Sequence, residues 1–210
     1  LGAENGPAIA VGPEGRIYVT WVAGSWKVKS GSHGPAAAGK KGPPPRPGNL
    51  NIFLAVSSDD GKSFSYPVRV NDDPAGPEHR FPIAVTDAKG TLFVTWLDKR
   101  KGTPENPGFS RVYVTRSTDG GKTFSPNVDA TEGQKYGICH CCRLALVSQP
   151  REGLVVAFRN DVDNMRDIFL VRSTHQGATM IPPPPRETHK PNTPAFPFYR
   201  VPVNDDPAGT

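Results

Sequence analysis

The chain has 210 residues, of which 22 are glycine and 24 are proline, so many turns and short strands are expected and not long helices. No apolar run approaches the roughly 20 residues that cross a bilayer as a helix, which excludes a transmembrane span. The chain has a formal net charge of +5, but its basic residues are interspersed with acidic ones and accompany no nucleic-acid-binding motif. We therefore expect no nucleic-acid partner.

Three sets of alternating apolar runs, typical of β-strands, follow one another along the chain. They lie at 7–11, 17–21 and 52–56, then at 82–85, 92–96 and 112–116, and finally at 144–147, 154–158 and 168–172. The second strand of each set ends on an aromatic residue, namely Trp21, Trp96 and Phe158. We therefore expect these three side chains at matching positions of a repeated unit.

A turn motif with the pattern S-x-D-x-G-x-[ST]-[FW] follows the third strand of the first two sets. Its matched residues are Ser57, Asp59, Gly61 and Phe64 in the first copy and Ser117, Asp119, Gly121 and Phe124 in the second, and an eroded third copy spans 173–180. An aspartate at a turn accepts backbone N–H bonds while the glycine takes a positive φ. We interpret both aspartates as structural, not catalytic, and expect both phenylalanines to be buried.

This order of strands and turns resembles one blade of the BNR or Asp-box β-propellers of sialidases and their relatives, over about residues 5 to 180. The resemblance implies an all-β, sialidase-like β-propeller segment with three four-stranded blades, at about 5–76, 77–135 and 136–181. A proline-rich tail and the start of the next repeat would occupy 182–210. The resemblance also implies an extracytoplasmic location.

Three blades are too few to close a propeller, which needs about 4 to 8. Residues 203–209 repeat residues 70–76 one for one, and the earlier copy leads into the first strand of the second set. We interpret the chain as half of a six-bladed propeller, completed by further blades of a longer protein or by a second copy of itself. A Gly/Pro/Lys-rich insertion at 31–48 interrupts the first blade.

All three cysteines of the chain lie in the run Cys139-His140-Cys141-Cys142. Thiolates and an imidazole are ligands suited to Cu(I) or Zn(II), but in an extended strand they converge only if the segment turns. A Cys139–Cys142 disulfide and three reduced core thiols are the alternatives. The run resembles a C-x-C-C motif of some bacterial Asp-box proteins, which is also followed by a phenylalanine–arginine–asparagine strand end, here 158–160.

Sialidases of this family use arginines to bind the substrate carboxylate and an acidic residue in a following loop as acid and base. The resemblance implies that Arg80, Arg100 and Glu105 occupy these positions. Glutamate replaces the aspartate of the family pattern, however, and no Tyr–Glu nucleophile pair can be chosen. Two functions follow: a non-hydrolytic module that binds a glycan, a protein partner or a metal, and a sialidase-type glycoside hydrolase.

Overall fold

A computed structural model describes residues 6–24, 50–73, 78–103, 105–106, 109–132, 137–149, 153–160, 168–174 and 179–181. The insertion at 31–48, residues 175–178 of the third turn motif and the tail at 182–210 lie outside the described residues. Within them the only helical element is a single 3-10 turn at Pro13–Gly15, and the rest is strand, turn or irregular backbone.

The described strands form three four-stranded antiparallel sheets, each built from strands consecutive in the chain. Blade 1 contains β1 (Ala8–Val11), β2 (Ile17–Gly24), β3 (Leu50–Ser57) and β4 (Val68–Arg69). Blade 2 contains β5 (His79–Thr86), β6 (Leu92–Asp98), β7 (Arg111–Ser117) and β8 (Val128–Asp129). Blade 3 contains β9 (Ala145–Gln149), β10 (Gly153–Arg159), β11 (Ile168–Thr174) and β12 (Thr179–Ile181). The predicted all-β fold of four-stranded blades is confirmed.

The three aromatic residues at the ends of the second runs occupy the same register in their blades. Trp21 pairs with Phe53, Trp96 with Tyr113 and Phe158 with Phe169, and the three ring pairs stack with centroids 6.2, 6.3 and 6.1 Å apart. Such cross-strand aromatic pairs are a main source of sheet stability. The sequence repeat therefore corresponds to the same cross-strand aromatic contact in each of the three blades.

Two hydrophobic cores lie between neighbouring blades, because each strand buries alternate residues on its two faces. Tyr18, Ile52 and Leu54 of blade 1 share a core with Val94, Trp96 and Tyr113 of blade 2. Phe93, Leu97 and Val114 of blade 2 share the other core with Leu154, Val156 and Phe158 of blade 3. Burial of each large side chain contributes about 1.5–3 kcal/mol. Packing of blade against blade is thus the main stabilising interaction.

The first turn motif is closed by hydrogen bonds around Asp59. Its Oδ1 accepts from the Ser57 hydroxyl at 2.8 Å and from the backbone N–H of Ser63 at 2.9 Å, and its Oδ2 accepts from the Ser63 hydroxyl at 2.6 Å. These bonds, above all those from Ser63, lower the pKa of Asp59 to about 2. The carboxylate is saturated with donors of its own turn.

The second turn motif has the same hydrogen bonds around Asp119. Its Oδ1 accepts from the Ser117 hydroxyl at 2.7 Å and from the backbone N–H of Thr123 at 3.0 Å, and its Oδ2 accepts from the Thr123 hydroxyl at 2.5 Å. These bonds, with the Thr123 hydroxyl as the largest cause, lower the pKa of Asp119 below its ordinary value. The two motifs are therefore equivalent in their internal contacts.

The two motifs differ in what they pack against. Phe124 is partly buried against the core between blades 1 and 2, whereas Phe64 is 48% exposed. The expectation that Phe64 is buried is wrong, because the second motif lies against blade 1 and no described sheet lies against the first. Burial of this phenylalanine depends on the preceding blade and not on its own turn.

This difference predicts unequal effects of the same substitution in the two motifs. Gly61 and Gly121 both have a positive φ, of +82° and +86°, but a Cβ on Gly121 would lie 2.6 Å from Leu54 Cδ2, and one on Gly61 only 3.6 Å from Ile17 Cδ1. We expect Gly61→Ala to cost about 1 kcal/mol from backbone strain alone. We expect Gly121→Ala to cost about 2 kcal/mol or more, since overpacking adds to that strain. Urea unfolding of both variants measures the difference, and equal midpoints would contradict it.

Candidate functional site

Arg100, one of the two predicted carboxylate-binding arginines, follows β6 and is surrounded by aspartates of its own chain. Its Nη1 lies 2.7 Å from Asp72 Oδ1, and its Nη2 lies 3.2 Å from Asp73 Oδ1 and 2.8 Å from Asp98 Oδ2. The guanidinium also stacks 4.1 Å above the ring centroid of Tyr113. Burial opposes its charge, but the contacts with Asp98, Asp72 and Asp73 together outweigh burial and raise the pKa of Arg100. A substrate carboxylate would have to displace these partners.

His79 lies at the centre of the same group and is fully buried. Its Nε2 lies 3.1 Å from both Asp73 Oδ1 and Asp98 Oδ2, and its Nδ1 contacts the carbonyl oxygen of Leu50. Both ring nitrogens face acceptors, so both donate, and the ring carries a positive charge. Burial alone would lower the pKa of His79, but the bonds to Asp73 and Asp98 dominate and raise it to about 9.

We call Asp72, Asp73, His79, Asp98 and Arg100 the ionic cluster. It joins the segment that follows β4 in blade 1 to the ends of β5 and β6 in blade 2. The strand and turn patterns of the sequence do not predict this cluster, although the repeated Asn-Asp-Asp segment ahead of a histidine is a usable signal. The cluster connects two blades through charges that are mostly shielded from water.

Ligand atoms of Asp73, His79 and Asp98 lie within 4.8 Å of one another, a spacing that would suit a metal ion. Asp98 Oδ2, however, already accepts a bond from Trp96 Nε1 at 2.9 Å, besides those from His79 and Arg100. Asp73 Oδ2 is buried with no hydrogen-bond partner among the described residues. The protonated histidine and the arginine take the place that a cation would take, so the geometry favours a closed ion network over a metal site.

Arg80, the other predicted arginine, lies on β5 and is ion-paired with Glu78, whose Oε2 also lies 2.7 Å from Lys99 Nζ. The strand is irregular here, since its register shifts between Arg80 and Ile83 and the buried Phe81 has a φ of +53°. A positive φ at a non-glycine residue is a strained conformation that clusters at functional sites. The Arg80 side chain is 27% exposed.

Glu105, the predicted acid and base, lies in the exposed loop between β6 and β7. Hydrogen bonds to its own backbone N–H and to Thr103 lower its pKa below the ordinary value. A general acid at neutral pH needs the opposite shift, because it must hold a proton. Among the described residues, no hydrogen bond or ion pair joins Glu105 to either predicted arginine.

The three thiols of Cys139, Cys141 and Cys142 come together where the segment before β9 turns. Cys139 Sγ lies 3.3 Å from Cys141 Sγ and 2.7 Å from Cys142 Sγ. The backbone N–H of Cys142 donates to the Cys139 carbonyl oxygen at 3.2 Å and closes the turn. His140 lies between them in the sequence but is exposed and is not part of the group.

The thiol group is fixed to blade 3 at the end of β10. The backbone N–H of Cys139 donates to the Arg159 carbonyl oxygen at 3.0 Å, and Ile138 forms an isolated bridge with Asn160. Arg159 Nη1 lies 3.7 Å from Cys142 Sγ, and this contact, with the nearby thiols, raises the pKa of Arg159. All three cysteines are free thiols.

An open cleft of about 640 Å³ crosses the outer part of blade 2. It is lined among others by Lys101, Phe109, Arg111, Tyr113, Asp129 and Glu132. The Arg111 guanidinium stacks 4.6 Å above the Phe109 ring, and its Nη1 donates to the Thr131 carbonyl oxygen at 2.8 Å. Mixed aromatic and charged walls in a cleft of this size suit a small polar ligand.

No family model and no curated protein matches the sequence. Solved structures do match. A protein of unknown function from Dyadobacter fermentans DSM 18053 aligns with a TM-score of 0.56 and 14% identity, over 84% of this chain and 49% of the other. The Hadza microbial sialidase Hz136 aligns with a TM-score of 0.55 and 16% identity, over 83% of this chain and 36% of the other.

A Penicillium chrysogenum α-L-arabinanase, solved with arabinobiose, aligns with a TM-score of 0.54 and 16% identity, over 85% of this chain and 48% of the other. The fold is that of a sialidase-like β-propeller. At these identities the likeness concerns the fold alone. The chain spans less than half the length of each of these structures. Among the described residues, no helix has the length and apolar character needed to span a membrane.

Proposed function

We propose that this chain is part of an extracytoplasmic propeller that binds a glycan or a protein partner without hydrolysing it. The observation that carries the proposal is the ionic cluster, in which the guanidinium of Arg100 forms ion pairs with Asp72, Asp73 and Asp98. Arg80 is likewise paired with Glu78, and Glu105 is held ionised. At these positions, neither arginine has a guanidinium free to bind a substrate carboxylate, and Glu105 has no proton to donate.

The cleft on blade 2 is the binding place that we propose, since its walls combine the aromatic Phe109 and Tyr113 with charged groups of both signs, which can pair with the hydroxyl and carboxylate groups of a sugar. Arg111→Gln should weaken binding of sialyllactose about 10-fold, the effect of one charged hydrogen bond. Lys62→Gln, an exposed change at the first turn motif, serves as the matched control and should leave the affinity unchanged. Isothermal titration calorimetry measures both, and equal effects of the two variants would remove the cleft from the proposal.

The alternative function is a sialidase-type glycoside hydrolase, which the fold match to a sialidase and the strained backbone beside Arg80 support. We expect no release of fluorophore from a methylumbelliferyl sialoside above the rate without protein. Release that disappears in Arg80→Gln and in Glu105→Gln would establish the hydrolase and contradict the binding proposal. Release that survives both changes would show that Arg80 and Glu105 do not carry the activity, and only its loss on further purification would assign it to a contaminating enzyme.

We further propose that another propeller blade of a longer protein covers the face of blade 1 that is turned away from blade 2. Ile9 of blade 1 and Ala84 of blade 2 occupy equivalent positions, because Ile9 pairs with Val19 and Ala84 pairs with Val94. Ile9 is nevertheless 65% exposed, whereas Ala84 is only 5% exposed. The equivalent face of blade 2 is covered by blade 1. A blade of the same kind would therefore fit the exposed face of blade 1. Val11, Phe64 and Tyr66, at 63%, 48% and 94% exposure, extend the apolar surface.

An uncovered apolar face predicts self-association of the 210-residue chain. Light scattering should show mass that rises with concentration, together with strong binding of the dye bis-ANS. A double change of Val11→Ser and Phe64→Ser should reduce both, while Lys62→Ser should not. A monodisperse monomer that does not bind the dye would contradict the proposal, and a discrete dimer would assign the face to a second copy instead.

We also propose that the thiol group binds a soft metal ion, with Cu(I) and Zn(II) as the candidates. The convergence of three sulfur atoms supports this, because thiolates are the ligands that both ions prefer.

A further inference from the structure

Among the described residues, the thiol group offers three ligands and no fourth. Sγ atoms of Cys139, Cys141 and Cys142 lie within 4.8 Å of one another, and no other cysteine, histidine, aspartate or glutamate among the described residues joins them. His140, the nearest candidate in the sequence, is exposed on the outside of the turn. The donor set that the described part of the chain provides is therefore three sulfurs, all from one turn.

We propose that the thiol group is a three-coordinate Cu(I) site in which Arg159 compensates the charge of the thiolates. This inference rests on the proposal that the group holds a metal ion at all. Structural Zn(II) sites take four ligands in a tetrahedron. Cu(I) is a soft d¹⁰ ion that is stable with three thiolates and needs no further donor. The three sulfurs and the outward His140 thus fit Cu(I) better than Zn(II).

Arg159 supplies the charge that such a site requires. Three thiolates with one Cu(I) carry a net charge of −2, which is costly next to the nearly buried Cys139. Arg159 Nη1, 3.7 Å from Cys142 Sγ, places a permanent positive charge beside the sulfurs and offsets part of this negative charge. Its carbonyl oxygen also accepts the N–H of Cys139 and fixes the start of the turn. Arg159 is accordingly a positioning residue and not a ligand.

Metal binding would widen the group. Metal–sulfur bonds of about 2.3 Å place the sulfur atoms roughly 4 Å apart, so the thiols must separate from 2.7 and 3.3 Å. The turn can accommodate this, because Cys141 is exposed and Cys142 is only half-buried. Cys139 stays fixed in the core while the other two sulfurs move.

The test uses the 210-residue chain purified without chelator and kept reduced under anaerobic conditions. Titration with Cu(I) against bicinchoninate should show one ion per chain, and X-ray absorption should show three sulfur neighbours and no nitrogen. Cys141→Ser should weaken binding at least 100-fold, whereas His140→Ala, the matched control, should leave affinity and spectrum unchanged. Arg159→Gln should weaken binding about 10-fold, and Arg159→Lys should restore most of it, which a purely structural role of the guanidinium would not predict.

Three outcomes would overturn the inference. A fourth, nitrogen ligand that disappears in His140→Ala would overturn the three-sulfur Cu(I) site while keeping a metal site. Equal binding in Arg159→Gln and the wild type would remove the role of Arg159. No bound ion, together with only one thiol that reacts with Ellman's reagent in denaturant before reduction, would establish a disulfide and overturn the metal proposal altogether.

Discussion

An Asp98→Ala variant should lose about 3 to 5 kcal/mol of unfolding free energy, because removing one partner of a buried charge pair leaves the other uncompensated. Asp98 is fully buried, and its carboxylate faces His79, Arg100 and the indole N–H of Trp96. Without it, His79 and Arg100 each lose one of their acceptors, and the buried indole N–H of Trp96 loses the acceptor that it has in the wild type. Asp98→Asn keeps the shape and one acceptor oxygen, so its loss should be smaller.

Asp72→Ala is the matched control, since Asp72 binds the same guanidinium but has a 46% exposed side chain. An exposed ion pair contributes about 0–1 kcal/mol, and this variant should stay within that range. Urea unfolding followed by tryptophan fluorescence measures all three variants, with Trp96, whose indole N–H donates to Asp98, as a reporter beside the cluster. If Asp98→Ala and Asp72→Ala shift the midpoint equally, the burial of the cluster does not have the effect that we assign to it.

The strands and turn motifs were predictable because they depend on residues close in sequence. Alternating apolar runs determine the strands, and Ser117, Asp119 and Thr123 close their turn through bonds spanning at most four residues. The register of Trp96 against Tyr113 then follows from one hairpin of the sheet. Such features repeat wherever the local pattern repeats.

The ionic cluster and the exposure of Phe64 were not predictable in this way, because each depends on a neighbouring blade. Asp72 and Arg100 belong to different blades, and no local spacing brings a guanidinium to an aspartate 28 positions away. Phe64 and Phe124 have the same turn around them and differ only in what lies opposite. The thiol group is intermediate, since the turn that gathers the cysteines and leaves out His140 is local but has no alternating pattern.

His79 should make the stability of the protein depend on pH in the neutral and mildly alkaline range. Its pKa is raised from 6.5 to about 9 in the folded state, because the hydrogen bonds to Asp73 and Asp98 outweigh the cost of burial. The folded state therefore binds the proton more tightly than the unfolded state. The stabilisation is fully present below pH 6.5 and is lost as the pH rises through 9.

The expected change is about 3 kcal/mol of unfolding free energy between pH 6.5 and pH 9.5, since one pKa unit corresponds to about 1.4 kcal/mol. His79→Gln keeps a hydrogen-bonding side chain that does not titrate, so the difference between wild type and variant isolates the contribution of His79. That difference should be largest at pH 6 and should shrink steadily toward pH 9.5, as measured by urea midpoints at six or more pH values. Asp73 and Asp98, whose pKa values are lowered, lose their contribution only in acid and leave this window unaffected. A difference that stays constant with pH would mean that folding does not raise the pKa of His79, and the charge assigned to the ionic cluster in this pH range would be wrong.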